Sequence, residues 1–504
     1  MKPVCFCFLW LFFFALASRV DANNVIIRSL ETLKGDSLRV SFSWENAWNH
    51  PRDKQPSNHD AVWLFFKYRL PNSERFYHLV LAPEASGYTH APNVIVKPER
   101  RGMGLLVCAP LGFSGDISSS WLAFALPSFL KETDFEIEAH AIEMVYISQE
   151  PFYLGDGASK NSFCNFERKP FWVNEEFQTI AVGNTPGALQ SLGDFPPVQS
   201  IPGTYPKGVG SFYVMKYEIS QAQYVAFLNS LSVQQQQRRA GVAPNSAPGV
   251  FAFNLRPESS FRNAIRIIKP AIPPNIPATW GCDFNLNLIP NEADDGANRA
   301  CNFLNWEDLT AYLDWAALRP MTELEFEKIA RGPLPPVPRE FSFGTPYVKA
   351  AIQLENDATE LERAIEKAND STGIASHGFL SPQGPLRAGF SSFAGNASRL
   401  QAGASYYGVF ELSGNLWEQC VTINEPALLF QRDNGNGELD EAGNADAPFW
   451  FTDGSNAIYR GGGWNSGIFE EFRDLAISDR FYAGLRPTLR RNTSGGRGVL
   501  NWEE

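Results

Sequence analysis

Oxygen donors crowd residues 433–441, which read Asp-Asn-Gly-Asn-Gly-Glu-Leu-Asp-Glu. A hard cation prefers such ligands, but Gly435 and Gly437 stand where an EF-hand needs carboxylates or amides, so the run is expected to be a polar, flexible turn. Thiol chemistry has seven cysteines to draw on, and Cys5 and Cys7 lie at the start of a hydrophobic leader run. Cys108, Cys164, Cys282, Cys301 and Cys420 remain, an odd number that leaves at least one thiol free or intermolecular in an oxidising compartment. Cys282 and Cys301 flank a loop-like stretch, and both a bridge and two buried thiols stay open for them. His50, His59, His78 and His90 are too scattered for a metal cluster.

Elements must bring such residues together. Met1 and Lys2 open an apolar run from Val4 to Ala17, and Val20-Asp21-Ala22 offers a small-x-small cleavage site. This reads as a secretory signal peptide over 1–22, whose apolar run is shorter than the ~20 residues a bilayer span needs. The chain is therefore expected to be exported to the periplasm, the cell surface or the medium, and not to span a membrane. From residue 23 to 139, period-two alternation (Leu38, Val40, Phe42, Trp44) and short runs such as 61–70 point to an antiparallel β-sandwich. From 140 to 500, a few helices sit among long irregular stretches. Ser220 with Gln223 and Thr322 with Glu325 have capping-box spacing, and a third helix is expected from Trp306. The fold class expected is α+β. The 504 residues carry a net charge of −12, which argues against nucleic acid as a partner. With 13 Trp, 39 Phe and 15 Tyr, the chain is also far too aromatic to be disordered.

Several phrases of the second region resemble the formylglycine-generating enzyme (sulfatase-modifying factor) family. They are Ile142 to Ile147 with Phe152 to Gly157, Phe212 to Ser220, Leu318 to Glu327, Tyr407 to Glu418, and Arg460-Gly461-Gly462-Gly463-Trp464 with Ser478-Asp479-Arg480 beyond. The resemblance implies a C-type-lectin-like fold with little regular structure. It also implies a calcium ion held by the side chains of Glu411 and Glu418 and the backbone carbonyls of Gly414 and Leu416, a donor set that suits a hard cation. A second family calcium site corresponds to roughly 356–380, with no residue carried across.

In the copper-dependent oxidases of this family, two cysteines follow the Gly-Gly-Ser phrase. This chain has Gly463 at the serine, Ser466 at the first cysteine and Glu471 at the second, and no cysteine follows Cys420. A hydroxyl and a carboxylate are poor ligands for soft copper(I) and form no mixed disulfide, so copper thiol oxidation is not expected. Iron-dependent sulfoxide synthases of similar fold take histidines that His140 and His377 alone do not supply. The leading expectation is an exported binding or assembly component of a bacterial cell envelope, engaging an extracellular protein or glycan. The alternative is a metal-dependent oxidoreductase or other enzyme using Ser466, Glu471, Asp474, Asp479 and Arg480 in the same cleft.

Overall fold

The computed structural model describes residues 25–33, 36–51, 54–131, 134–191, 198–392, 398–467 and 474–502. The expected signal peptide and Glu471 lie outside them. The strands Val25–Leu33, Ser37–Trp48, Ser114–Ala125 and Tyr88–His90 form one antiparallel sheet, side by side in that order. A larger antiparallel sheet runs through Arg319–Pro320, Gly498–Asn501, Phe212–Met215, Glu136–Ile147, Asp60–Arg69, Leu105–Cys108 and Ile95–Pro98.

The strand Asp60–Arg69 explains how the two regions join. Its side chains alternate between two separate cores. Val62, Leu64 and Phe66 pack with Leu38, Val40, Phe42 and Trp44, closing the sandwich. Ala61, Trp63 and Phe65 pack on the opposite face with Tyr224, Phe227, Leu309 and Tyr312. A strand buried on both faces reads as a continuous apolar run, which is what residues 61–66 show. Trp63 Nε1 donates to Ala316 O at 2.9 Å and Lys67 Nζ to Trp315 O at 2.7 Å, so even the polar atoms of this strand are satisfied from the second region. The strand Glu136–Ile147 pairs with Asp60–Arg69 on one side and Phe212–Met215 on the other, so the boundary expected at residue 139 falls inside a strand of one continuous sheet.

Around this sheet the architecture is α+β, β-rich toward the N-terminus. The helices are short and start where their caps dictate. Gln221–Asn229 is capped by Ser220 with Gln223, Trp306–Trp315 by Asn305 with Asp308, and Glu323–Arg331 by Thr322 with Glu325. Much of the remaining chain is irregular, and guanidinium–carboxylate pairs hold it. Glu323 takes Arg460 Nη1 at 3.1 Å and Arg480 Nε at 2.6 Å, while Glu327 takes Arg460 Nη2 at 2.8 Å. All of these side chains are fully buried.

The run 433–441 departs from the flexible turn expected of it. The Asp314 carboxylate accepts backbone N–H groups from Asn436 (2.9 Å), Asp446 (2.8 Å) and Ala447 (3.1 Å), and Lys67 Nζ donates to Gly437 O. The cause lies 120 residues upstream, where a sequence pattern cannot see it. The aromatic patch beyond it divides: Phe451 stacks on Trp306 with centroids 5.0 Å apart, while Phe449 stays exposed. Among the described residues, no helix is long and apolar enough to cross a membrane.

A chain begun at residue 148 would lose Trp63 and Phe65, each worth about 1.5–3 kcal/mol on burial, together with the strand that pairs with Phe212–Met215. It is expected to be insoluble or to lack cooperative thermal unfolding, measured by soluble yield and circular dichroism. A soluble fragment with a sharp transition would contradict the shared-sheet account.

Candidate functional site

Two neighbouring features carry the chemistry. One is an open cleft; the other is a buried group of carboxylates behind it. The turn after Arg460 shapes the cleft. Gly461 and Gly462 have φ of 83° and 76°, and a Cβ on Gly461 would lie 2.7 Å from Leu412 O. At Gly463 a Cβ would lie tightly against Trp417, 3.0 Å from its Cδ1, so a side chain there would make the indole shift slightly. Ser466 closes the turn, its Oγ accepting Gly463 N–H at 3.0 Å while its own N–H reaches Gly463 O at 2.9 Å.

The cleft has a volume of about 320 Å³ and is lined by Trp417, Tyr459, Ser466, Asp474, Tyr482 and Arg491 among others. Trp417 meets Tyr482 edge to face at 5.1 Å and Tyr459 at 6.2 Å, forming an aromatic corner. Burial, reinforced by Asp479, pushes the Asp474 carboxyl up to about 6, against a hydrogen bond from Ser466. Burial pushes the Tyr459 phenol up to about 12. Burial pushes the His377 imidazole down to about 4.

The residues that sequence reasoning placed in this cleft part company. Ser466 and Asp474 line it. Asp479 does not, and its carboxylate accepts Phe481 N–H at 2.8 Å. Arg480 turns into the core, where Glu323 and Ser191 Oγ (2.7 Å) accept from it and the Phe163 ring lies 4.0 Å away. It is a structural residue. All five described cysteines are buried and free, Cys282 and Cys301 included, and none lines the cleft. His140 is packed elsewhere, between Phe65 and Trp315, and shares no metal site with His377.

Behind Trp417 lie Glu411 and Glu418, both buried. Glu411 Oε1 accepts Gly389 N–H at 3.0 Å and Glu418 Oε1 accepts Arg497 Nε at 2.6 Å. The second oxygen of each carboxylate is buried without a hydrogen-bond partner. Such orphaned acceptors are costly unless something positive meets them. Burial pushes Glu411 up to about 7 and raises Glu418, both against the pull of Arg497. Gly414 and Leu416 sit on the connecting turn, where Gly414 has φ 91°. Leu416 N–H donates at 2.9 Å to Glu218, whose other oxygen accepts from the Asn415 amide. Sequence reasoning assigned Glu218 no role, although it lies inside the phrase Phe212 to Ser220. Burial, then the neighbouring Glu418, hold its carboxyl well above the usual range.

The stretch 356–380 is satisfied differently. Arg299 Nη2 and Arg262 Nη2 pair with Asp357 at 2.7 and 2.8 Å, and each also reaches Glu362 at 2.8 Å. The acidic trio Glu292, Asp294 and Asp295 is mostly exposed, and Asp295 is already occupied by N–H groups of Phe284 (3.2 Å) and Glu292 (2.8 Å).

A mixed fold in which a Gly-Gly turn, an edge-to-face Trp and a doubly carboxylated loop form one corner defines a class of domain. Residues 196–501 match the family model of the sulfatase-modifying factor enzyme 1-like domain, and the chain belongs to that family. A search of curated proteins found no match.

Arg497 also donates to Phe410 O at 2.8 Å, so it ties Glu418 to the loop that carries Glu411. Arg497→Met leaves Glu418 buried without its cation and is expected to cost about 3–5 kcal/mol in urea unfolding. Arg497→Met combined with Glu418→Met should recover most of that loss; a strictly additive double variant would show that the pair is not coupled.

Proposed function

We propose that this protein is an exported binding or assembly component of the cell envelope, which keeps the calcium-stabilised scaffold of its family without copper thiol oxidase chemistry. One observation carries the second half of the reading. At the position of the first catalytic cysteine, the Ser466 hydroxyl accepts from Gly463 in the turn and hydrogen-bonds the Asp474 carboxyl, and every described thiol lies buried outside the cleft. Thiolate is the copper(I) ligand and the nucleophile of mixed-disulfide exchange, and neither role passes to a serine hydroxyl. The cleft keeps its aromatic corner and polar floor, which suits recognition of a ligand. The apolar leader over 1–22 supports export.

Support for calcium comes from the orphaned oxygens of Glu411 and Glu418, which would ligate with the carbonyls of Gly414 and Leu416. A bound dication would compensate carboxylates that burial otherwise holds protonated or unpaired. Because Glu411 titrates at about 7 without a cation, its ionisation opposes folding as pH rises through that value. Calcium must displace its proton, so affinity strengthens with pH. Calcium is expected to raise the melting temperature by several degrees at pH 8 and by much less at pH 5.5, with the gain lost in Glu411→Gln. An equal effect at both pH values, or an undiminished one in the variant, would refute the assignment.

A second reading is favoured by Asp474, whose carboxyl at about 6 beside Ser466 suits acid–base work in an enzyme of different chemistry. One experiment bears on both. The mature protein is incubated with a cysteine-containing sulfatase-motif peptide, copper, oxygen and a reductant, and the peptide is weighed by mass spectrometry. An unchanged mass is expected. Conversion of the cysteine to an aldehyde would overturn the non-oxidase reading, and any other covalent product lost in Asp474→Asn would favour the second.

A further inference from the structure

A cavity of about 570 Å³ lies outside the family-matched residues. It is built on the segment between the sandwich and the matched domain, where the strand Phe152–Leu154 pairs with Phe171–Val173. We propose that this groove is a binding site for a neutral glycan, with Trp172 as the platform on which a pyranose ring stacks.

The backbone register decides which side chains face the groove. Tyr153 and Trp172 are cross-strand partners, and their rings meet with centroids 4.5 Å apart at a tilt of 52°. Tyr153 thus fixes the indole from one side. The indole nonetheless stays 44 % exposed, an unusual state for the largest apolar side chain when a buried partner is available. Phe166, also on the wall, is 45 % exposed. Around these rings stand Asn165, Asn174, Glu175 and Gln178.

The lining excludes other ligand classes on charge and solvation. Among the described residues no Lys or Arg lines the cavity, and Lys169 at its edge is paired with Glu167, so phosphates, sulfates and uronic acids meet no unpaired cation in the lining. A purely apolar ligand would desolvate the amides of Asn174 and Gln178 and the Glu175 carboxylate without pairing them, while the Asn165 oxygen is already taken by the N–H groups of Glu167 and Lys169. A basic peptide would find little charge, because the Glu167 carboxylate is already paired with Lys169 at 2.7 Å, leaving Glu175 alone. Flat apolar faces edged by amide donors and acceptors suit a neutral ring whose faces are C–H and whose rim is hydroxyl. The volume lies within the usual span of small-ligand sites, about 300–1,000 Å³. The inference does not rest on the reading of the cleft, since Trp417 and Trp172 belong to different cavities.

Affinity electrophoresis tests it with the full mature chain, in native gels cast with mannan, β-1,3-glucan, amylose or xyloglucan. Retardation is expected in at least one gel and should persist in 0.5 M NaCl, because the ligand is uncharged. Trp172→Ala should weaken it at least tenfold, Trp172→Phe should retain most of it, and Phe449→Ala, at an exposed ring that does not line the groove, should leave it unchanged. Gln178→Ala, on the exposed rim, gives a second reading of the site should Trp172→Ala fail to fold, and should weaken binding severalfold. No retardation in any gel would overturn the proposal. So would retardation indifferent to Trp172 and Gln178, or binding confined to a lysine-rich peptide and abolished by salt.

Discussion

Buried guanidinium groups hold this protein together where ladders and helices do not. Arg239, Arg299, Arg319, Arg331, Arg460, Arg480 and Arg497 are among the largest fully buried side chains. Each finds a carboxylate: Arg319 pairs with Glu325 at 2.7 Å, Arg331 with Glu340 at 2.5 Å and Glu327 at 3.2 Å, and Arg239 with Asp308 at 3.3 Å. A planar donor with a rigid fork can satisfy several loops at once, as Arg497 does for Glu418 and for the carbonyls of Met215, Lys216 and Phe410. Buried pairs contribute little net stability over apolar replacements, but losing one member is severe. Their role here is to fix which irregular segments meet, a task that regular structure performs elsewhere.

The same constraint separates the two features behind and before Trp417. The cleft is open, aromatic and half-polar; the Glu411–Glu418 group is closed and short of positive charge. Joining them is the turn Gly461-Gly462-Gly463, whose lack of side chains allows close packing on Leu412 and Trp417. A scaffold pinned in this way can tolerate change in the cleft lining without loss of the fold. The groove around Trp172 lies on a segment outside the matched domain.

Much of the architecture was legible in the chain itself. Period-two alternation at Leu38, Val40, Phe42 and Trp44 declares a half-buried strand, and capping boxes at Ser220 and Thr322 mark helix starts, because both signals are local. The ordered phrases from Phe212 to Trp464 carried the family, and the absence of cysteine after Cys420 set the expectation against copper thiol chemistry. Glu411 and Glu418 were singled out by the family resemblance of the phrase Tyr407 to Glu418, and the structure buries both.

What the tertiary structure decided is every contact made across long separations. The run 433–441 is ordered by Asp314, and Arg480, read as a cleft residue from its neighbours in sequence, is drawn into the core by Glu323. Glu218 joins the carboxylate group only because the strand Phe212–Met215 brings the following residues beneath Leu416. A sequence determines which residues can pair and where local elements begin; it does not specify which of many like charges will be buried together. That choice is made when the sheet from Asp60–Arg69 to Gly498–Asn501 closes and water is removed from one particular set.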